Sequence, residues 1–317
     1  MQPEYLAMLI GEFIALFVAI LWTACALGSE AGSKRIGVPM YNVWIQLFSL
    51  CVGLVICWGT SGHLLPPYAD RATWLFLLLS GVVGFFIGDY CLYKCYSLIG
   101  SRFGQLFMTL APMFSAFAAW VMLGQTLSWC SLLAMGVTLG GIALSVVGRG
   151  ADRKLSFQLP LKGILLGIVA GICQGVGLII SKLGMDSYQA AVPVGAWSKM
   201  ANFVPFYSNM IRCIAGLTCF LFLLTFTGQL KTLHGSLRDK KGVLGLAVAV
   251  ICGPGIGVGF SLLAVQYTSA GIASTLMALT PVLILLPSHL IFKEKISKQS
   301  IIGACISVIG VSMFFLL

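Results

Sequence analysis

Apolar residues along this chain run in blocks of roughly twenty, the length that crosses a bilayer core, and the charged, Pro and Gly positions fall between the blocks. Runs bounded in this way predict helices near residues 6–27, 39–60, 73–98, 103–124, 128–148, 160–182, 205–227, 243–267, 271–292 and 298–317. The shortest connections, Gly124 to Leu127 and Thr268 to Ala270, force their neighbours into antiparallel hairpins. The prediction is an all-α membrane protein with ten transmembrane helices. The first run lacks a basic leading segment and a small-residue cleavage site, and it is long enough to span, so it is expected to remain as the first helix.

Sliding the sequence against itself by 169 positions brings Pro112 onto Pro281, Met108 onto Met277, Gly84 onto Gly253, Gly88 onto Gly257, Ser128 onto Ser297, Ser131 onto Ser300 and Gly141 onto Gly310. Apolar sequence matches itself easily, but here prolines, glycines and run boundaries coincide together, which marks an internal repeat. The units are residues 1–150 and 151–317, with five helices each. Because five is odd, the second unit enters the membrane from the opposite side, giving two inverted repeats and an architecture suited to alternating access. An insertion at Met185 to Asn202, containing Pro193, Trp197 and Lys199, is expected to form an interfacial or partly helical loop.

Composition agrees with this pattern: 59% hydrophobic and 9% charged residues, with a mean hydropathy of +1.01, exclude a water-soluble fold. The net charge of +10 comes from Lys and Arg scattered through short connections, so it reads as loop anchoring and not as a nucleic-acid surface. Fourteen of these cations fall after odd-numbered runs against three after even-numbered ones, which puts the odd-numbered loops in the cytoplasm and both termini outside. The eleven cysteines lie almost entirely inside apolar runs without a CxxC, and read as small hydrophobes; this includes Cys91 and Cys95, one turn apart.

The stretch from Gly88-Asp89-Tyr90 through SLIGSRFGQLFMTLAPMFSAFAAWVMLGQTLSWCSLLAMGVTLGGIALSV resembles the second part of an EamA-type repeat of the drug/metabolite transporter superfamily, and YTSAGIASTLMALTPVLILLPSHLIFKEKISKQSIIGACISVIGVSM resembles its partner. The resemblance is strongest over residues 84–146 and 253–312. It implies a two-repeat secondary carrier of small metabolites, with amino-acid efflux a common assignment, in the cytoplasmic membrane. It also implies cytoplasmic termini, opposite to the charge distribution. The chain departs from the family pattern at Gln125, where an acidic residue is usual; Glu294 keeps that residue in the second unit.

Charged groups at bilayer depth cost about 2.5 to 3.5 kcal/mol on insertion scales, so those present need a partner, water or a task. Asp89 lies inside the third run with Tyr93 and Tyr96 on its face. Its readings are a coupling or substrate carboxylate, or a structural acid bound to neighbouring hydroxyls. Arg212, in the seventh run, shares a face with Ser208, Asn209 and Gly216, and suits a substrate carboxylate, a counter-ion to Asp89, or snorkelling. Gln174 and Trp22 align by a shift of 152 and are uncharged cavity candidates. Glu12 and Lys94 lie nearer helix ends and read as interfacial. Pro112 and Pro281 are expected to kink their helices, and Gly84/Gly88 with Gly253/Gly257 to form small faces for close helix approach. The GPGIGVG run at 253–259 comes after no strand and reads as packing rather than as a phosphate loop.

No Walker A sequence, HExxH or GxSxG occurs, so neither an ATP motor nor a catalytic set is expected. The function expected is secondary transport of a small solute, driven by a gradient of protons, ions or the solute itself with substrate/proton antiport and uniport both open, without cofactor, metal or nucleic acid, by a monomer or homodimer in the lipid bilayer. The competing classes are a channel and a membrane-embedded enzyme.

Overall fold

The computed structural model describes residues 3–124, 128–149, 155–157, 159–193, 195, 200–268, 270–293 and 296–316. Gln125, Glu294, Trp197 and Lys199 lie outside the described residues. The helices are α1 (Pro3–Ile36), α2 (Val38–Ser61), α3 (Arg71–Ile99), α4 (Ser101–Leu123), α5 (Trp129–Val146), α6 (Leu161–Ala191), α7 (Ala201–Phe226), α8 (Lys240–Val250), α9 (Gly257–Tyr267), α10 (Ile272–Phe292) and α11 (Lys298–Leu316). Between α5 and α6 a small antiparallel pair forms from β1 (Val147–Arg149) and β2 (Leu155–Phe157). Eight helices, α1 to α7 and α10, are long and apolar enough among the described residues to cross a membrane.

Two helix boundaries differ from those the apolar pattern predicts. The pattern stops the first helix near residue 27, because Ser29, Glu30, Lys34 and Arg35 look like a loop. The helix continues to Ile36, since Glu30 and Lys34 pair one turn apart and it stops only where Gly37 takes φ 90 ahead of Pro39. The pattern likewise ends the sixth helix near residue 182, whereas the helix runs to Ala191 and absorbs the start of the insertion. Lys182 pairs with Asp186 along it at 2.9 Å, and the Tyr188 hydroxyl donates to the Pro67 carbonyl at 2.7 Å, holding this extension to the α2–α3 loop.

Positions 169 apart carry the same local devices. Asp70 caps α3 by accepting from the Thr73 amide at 2.8 Å, and Asp239 caps α8 by accepting from the Lys241 and Gly242 amides at 2.9 and 3.1 Å. Those bonds favour the charged form, and each carboxyl titrates below the ordinary aspartate range, Asp70 held down first by Thr73 and Asp239 by Gly242. Ser128 and Ser297 accept from the amides of Ser131 and Ser300 at 3.0 and 3.1 Å ahead of α5 and α11. Turns at Thr109–Leu110 and Ala278–Leu279 interrupt α4 and α10 just before Pro112 and Pro281, as ring geometry requires. A π-helical stretch occupies Gly81–Gly88 within α3, and another, Ile251–Gly255, joins α8 to α9.

Lipid supplies no hydrophobic drive between helices, so close packing at small residues holds such a bundle together. Helices α5 and α11 cross antiparallel at this kind of seam. A Cβ on Gly141 would lie 2.5 Å from Ser307 Oγ, one on Gly310 2.5 Å from the Thr138 nitrogen, and one on Gly303 2.8 Å from the Ser145 nitrogen. Likewise α1 meets α8 where Gly28 and Gly245 face each other's carbonyls, and α3 meets α6 where a Cβ on Gly177 would lie 3.2 Å from Gly84 Cα. Buried hydroxyls such as Thr23, Ser49 and Thr138 donate to the carbonyl one turn back, satisfying themselves without a partner helix.

Candidate functional site

The π-helical stretch in α3 adds a residue to one turn and re-aims the turns beyond it, a distortion often found where a helix serves a site. Asp89 is the first residue after it, ten residues from the C-terminal end of α3, about 15 Å of helix at about 1.5 Å per residue. Its carboxylate is held from two sides by neutral amides: Gln174 Nε2 of α6 donates to Oδ1 at 2.8 Å, and Gln46 Nε2 of α2 donates to Oδ2 at 3.2 Å. The ion pairs among the described residues are Lys34–Glu30, Arg35–Asp239 and Lys182–Asp186, and none involves Asp89. An ionisable group fixed by amides but not by a cation keeps a remaining acceptor lobe for a proton or a cationic ligand.

Asp89 opens onto a cavity of about 230 Å³. Gln46, Ser49, Tyr93, Asn209 and Asp89 form its polar wall. Trp22, Cys25, Phe85, Cys213, Pro254 and Val258 make up most of the rest of its lining. The cavity thus draws on α1, α2, α3, α7, α9 and the π-helical turn before α9. Toward the C-terminal end of α3 it is closed by tyrosines: the Tyr41 and Tyr93 rings meet edge-on with centroids 5.0 Å apart, and Tyr93 and Tyr96 are 5.8 Å apart. Tyr41 donates to Ser29 Oγ at 2.9 Å, and Tyr96 accepts from Gln105 at 2.6 Å.

Of the six residues singled out from sequence, Asp89, Tyr93, Asn209 and Trp22 line the cavity, and Gln174 stands behind Asp89 as its donor. Tyr93 lies one turn beyond Asp89, as the spacing predicts. Arg212 is brought next to the cavity but not into its wall. Its guanidinium lies over the Phe85 ring at 4.1 Å, and its Nε is buried without a hydrogen-bond partner. The counter-ion reading therefore becomes one of nearby charge and not of contact, and the snorkelling reading is not what the geometry gives. Glu12 and Lys94 are half-buried and outside the cavity lining. Sequence reasoning misses Gln46, although a glutamine inside the second apolar run carries the same signal that singles out Gln174. The wall residues Cys25, Phe85, Pro254 and Val258 carry no signal that separates them from ordinary packing residues.

Trp22 and Gln174 occupy related places. A Cβ on Gly257 would lie 3.1 Å from Trp22 Nε1, and one on Gly88 would lie 3.4 Å from Gln174 Nε2. Each side chain thus lies against a glycine at the end of a π-helical stretch, once in each half of the chain.

Glu30, which sequence reasoning also misses, is fully buried at the far end of α1. It accepts the backbone N–H of Ser101, the first residue of α4, at 2.5 Å and pairs with Lys34, whose ammonium lies 5.2 Å from the Phe292 ring centre. The signal for it is an i,i+4 acid–base pair, which is hidden when the first helix is ended before it.

A helical membrane bundle with a cavity lined from both halves of the chain, a carboxylate in that lining and helices interrupted beside it, has the build of a membrane solute transporter. The chain belongs to the EamA-like transporter family, whose model matches residues 9–147 and 161–316. Among curated proteins it is similar to a GDP-fucose transporter of Mus musculus, 27% identical over 169 residues that cover 50% of this chain and 42% of that one. It is also similar to a GDP-fucose transporter of Nematostella vectensis, 24% identical over 245 residues that cover 69% and 64%. The matched stretches thus span less than two thirds of either relative's length. A solved crystal structure of another protein, 14% identical, superposes with a TM-score of 0.57 over 96% of this chain and 95% of that one, which is a likeness of fold.

Proposed function

We propose that this transporter is a proton-coupled secondary carrier that exports small metabolites such as amino acids across the cytoplasmic membrane by alternating access. Ten spans in two inverted five-helix repeats do the work: the eight long helices, the α8–α9 pair acting as one interrupted span, and α11. Support for the inversion comes from α5 and α11, which occupy equivalent positions in the 169-residue repeat and cross antiparallel through Gly141 and Gly310. The recurrence of caps, turns and π-helical stretches supports the same reading.

The observation that carries the proposal is Asp89, a carboxylate on the wall of a cavity between the halves, clamped by Gln46 and Gln174 and outside every ion pair among the described residues. A carboxylate so placed takes up a proton or a cationic group by turns, and that exchange links a pH gradient to solute movement. No covalent step is required of the protein. The GDP-fucose transporters among its relatives suggest a nucleotide sugar instead. The cavity argues against it, because a diphosphate would face the Asp89 carboxylate, and a volume of about 230 Å³ suits a solute of amino-acid size.

Counterflow in proteoliposomes preloaded with pooled amino acids and nucleotide sugars, with and without a pH gradient, tests the reading. Saturable exchange of an amino acid, accumulated by the gradient in the wild type and not in Asp89→Asn, is expected. Exchange of nucleotide sugars alone, or gradient-driven accumulation surviving in Asp89→Asn, overturns it. Non-saturable flux would point to a channel.

A further inference from the structure

The 169-residue correspondence pairs residues of the two halves that line the same cavity. Phe85 and Asp89 in the first half correspond to Pro254 and Val258 in the second, and all four line the cavity. Trp22 and Gln174 correspond by the shift of 152, yet Gln174 bonds Asp89 whereas Trp22 lies beside Pro254 and Val258. One copy of these positions thus holds a carboxylate and its amide donor, while their counterparts Val258 and Trp22 add apolar surface to the same lining. The halves are therefore alike in backbone and opposite in chemistry at the point where they meet.

We propose that the cavity is amphipathic by construction and takes a solute with an ammonium head and a compact aliphatic body, the head at Asp89 and the body in an apolar subsite formed by Trp22, Cys25, Pro254 and Val258. Val258 is the residue that sets the size limit. Its branched side chain occupies the position that corresponds to Asp89 in the 169-residue repeat. The space beside it cannot grow by backbone movement, because Gly253 already lies so close to α1 that a Cβ there would be 2.9 Å from Cys25 Sγ. Pro254 removes a donor from the wall, so no backbone N–H of that residue competes with an aliphatic occupant. Each residue follows a π-helical stretch, Asp89 directly and Val258 within one turn of its end.

This deepens the proposed function by naming the part of the solute that each half reads, and it is tested separately from transport. The purified protein in detergent is titrated with two probe series, the n-alkylammonium ions from methyl to hexyl and the aliphatic amino acids from glycine to leucine, with thermal stabilisation as the readout. The wild type is expected to bind tighter by about fourfold per added CH2, the factor equivalent to about 0.8 kcal/mol, until the subsite is full, and weaker thereafter. Val258→Ala moves the optimum to a longer chain and Val258→Phe to a shorter one, with methylammonium and glycine unchanged. Should Val258→Phe misfold, Val258→Ala alone still decides. No length dependence in the wild type, or variants that shift every member of a series equally, overturns the inference. Alkylammonium binding with the expected Val258 dependence and no amino-acid binding leaves the inference standing and removes the amino-acid reading.

Discussion

Glu30 offers a quantitative test of how the closed end of the cavity is held. Its carboxylate is fully buried and makes two contacts of different kind. One is to the Ser101 N–H at 2.5 Å, an otherwise unpaired donor at the start of α4, where the helix dipole also favours a negative group. The other is to Lys34, whose side chain is 38% exposed. Losing the acceptor of a buried N–H costs about 1 to 3 kcal/mol, whereas an ion pair with one end in water contributes about 0 to 1 kcal/mol. Glu30→Leu, which removes both, is therefore expected to destabilise by about 1 to 4 kcal/mol, adding those two ranges. Lys34→Ala is expected to cost under about 1 kcal/mol. Glu30→Gln keeps a carbonyl oxygen for Ser101 and should fall between them. Reversible denaturant unfolding of the three variants in detergent gives the order directly. If Lys34→Ala costs as much as Glu30→Leu, or Glu30→Leu is neutral, the assignment of Glu30's stabilising contribution to the Ser101 bond is wrong.

Single contacts elsewhere carry further expectations. Gly141→Ala and Gly310→Ala each drive a methyl into the facing helix at the α5–α11 seam, so each should lower stability by about 1 to 3 kcal/mol; a melting point unchanged in both would mean the seam is not close-packed. Gln174→Leu is expected to slow counterflow more than Gln46→Leu, because its bond to Asp89 is 2.8 Å against 3.2 Å and its amide also reaches the Gly84 carbonyl at 3.3 Å; the reverse order of initial rates contradicts this. The Asp239 carboxyl is held low in the folded state, so its capping contribution is complete above the unfolded aspartate range near pH 4 and is lost as pH falls through the lower folded value. Asp239→Ala should then be less stable than wild type at pH 7 and equal to it near pH 2, and a difference that persists at pH 2 counts against the cap. Because loops after alternate helices carry the cations, a membrane-impermeant thiol reagent should label Ser236→Cys and His63→Cys from opposite faces, and labelling of both from one face contradicts the alternating topology.

The sequence by itself determined that the chain lives in a membrane, where most of its helices begin and end, and that it repeats at 169 residues, because all three are consequences of local chemistry. A twenty-residue apolar block has no other stable solution in lipid, and an Asp cap, a Ser cap or a helix-interrupting Pro acts within one turn of its own position. It also picked out Asp89, since an ionised group in an apolar block stands out whatever surrounds it. It misjudged α1 and α6, where i,i+4 pairs turned apparent loops into helix. What only the tertiary structure decided is which side chains share a space. Gln46 and Gln174 are 128 residues apart and meet only because α2 and α6 both pack on α3. Arg212 lies over the Phe85 ring, a matter of helix rotation that no spacing rule gives. Pro254 and Val258 look like any packing residues until the fold brings them into the same cavity lining as Asp89. Local rules act along the chain, and a cavity is made of residues that are distant along it.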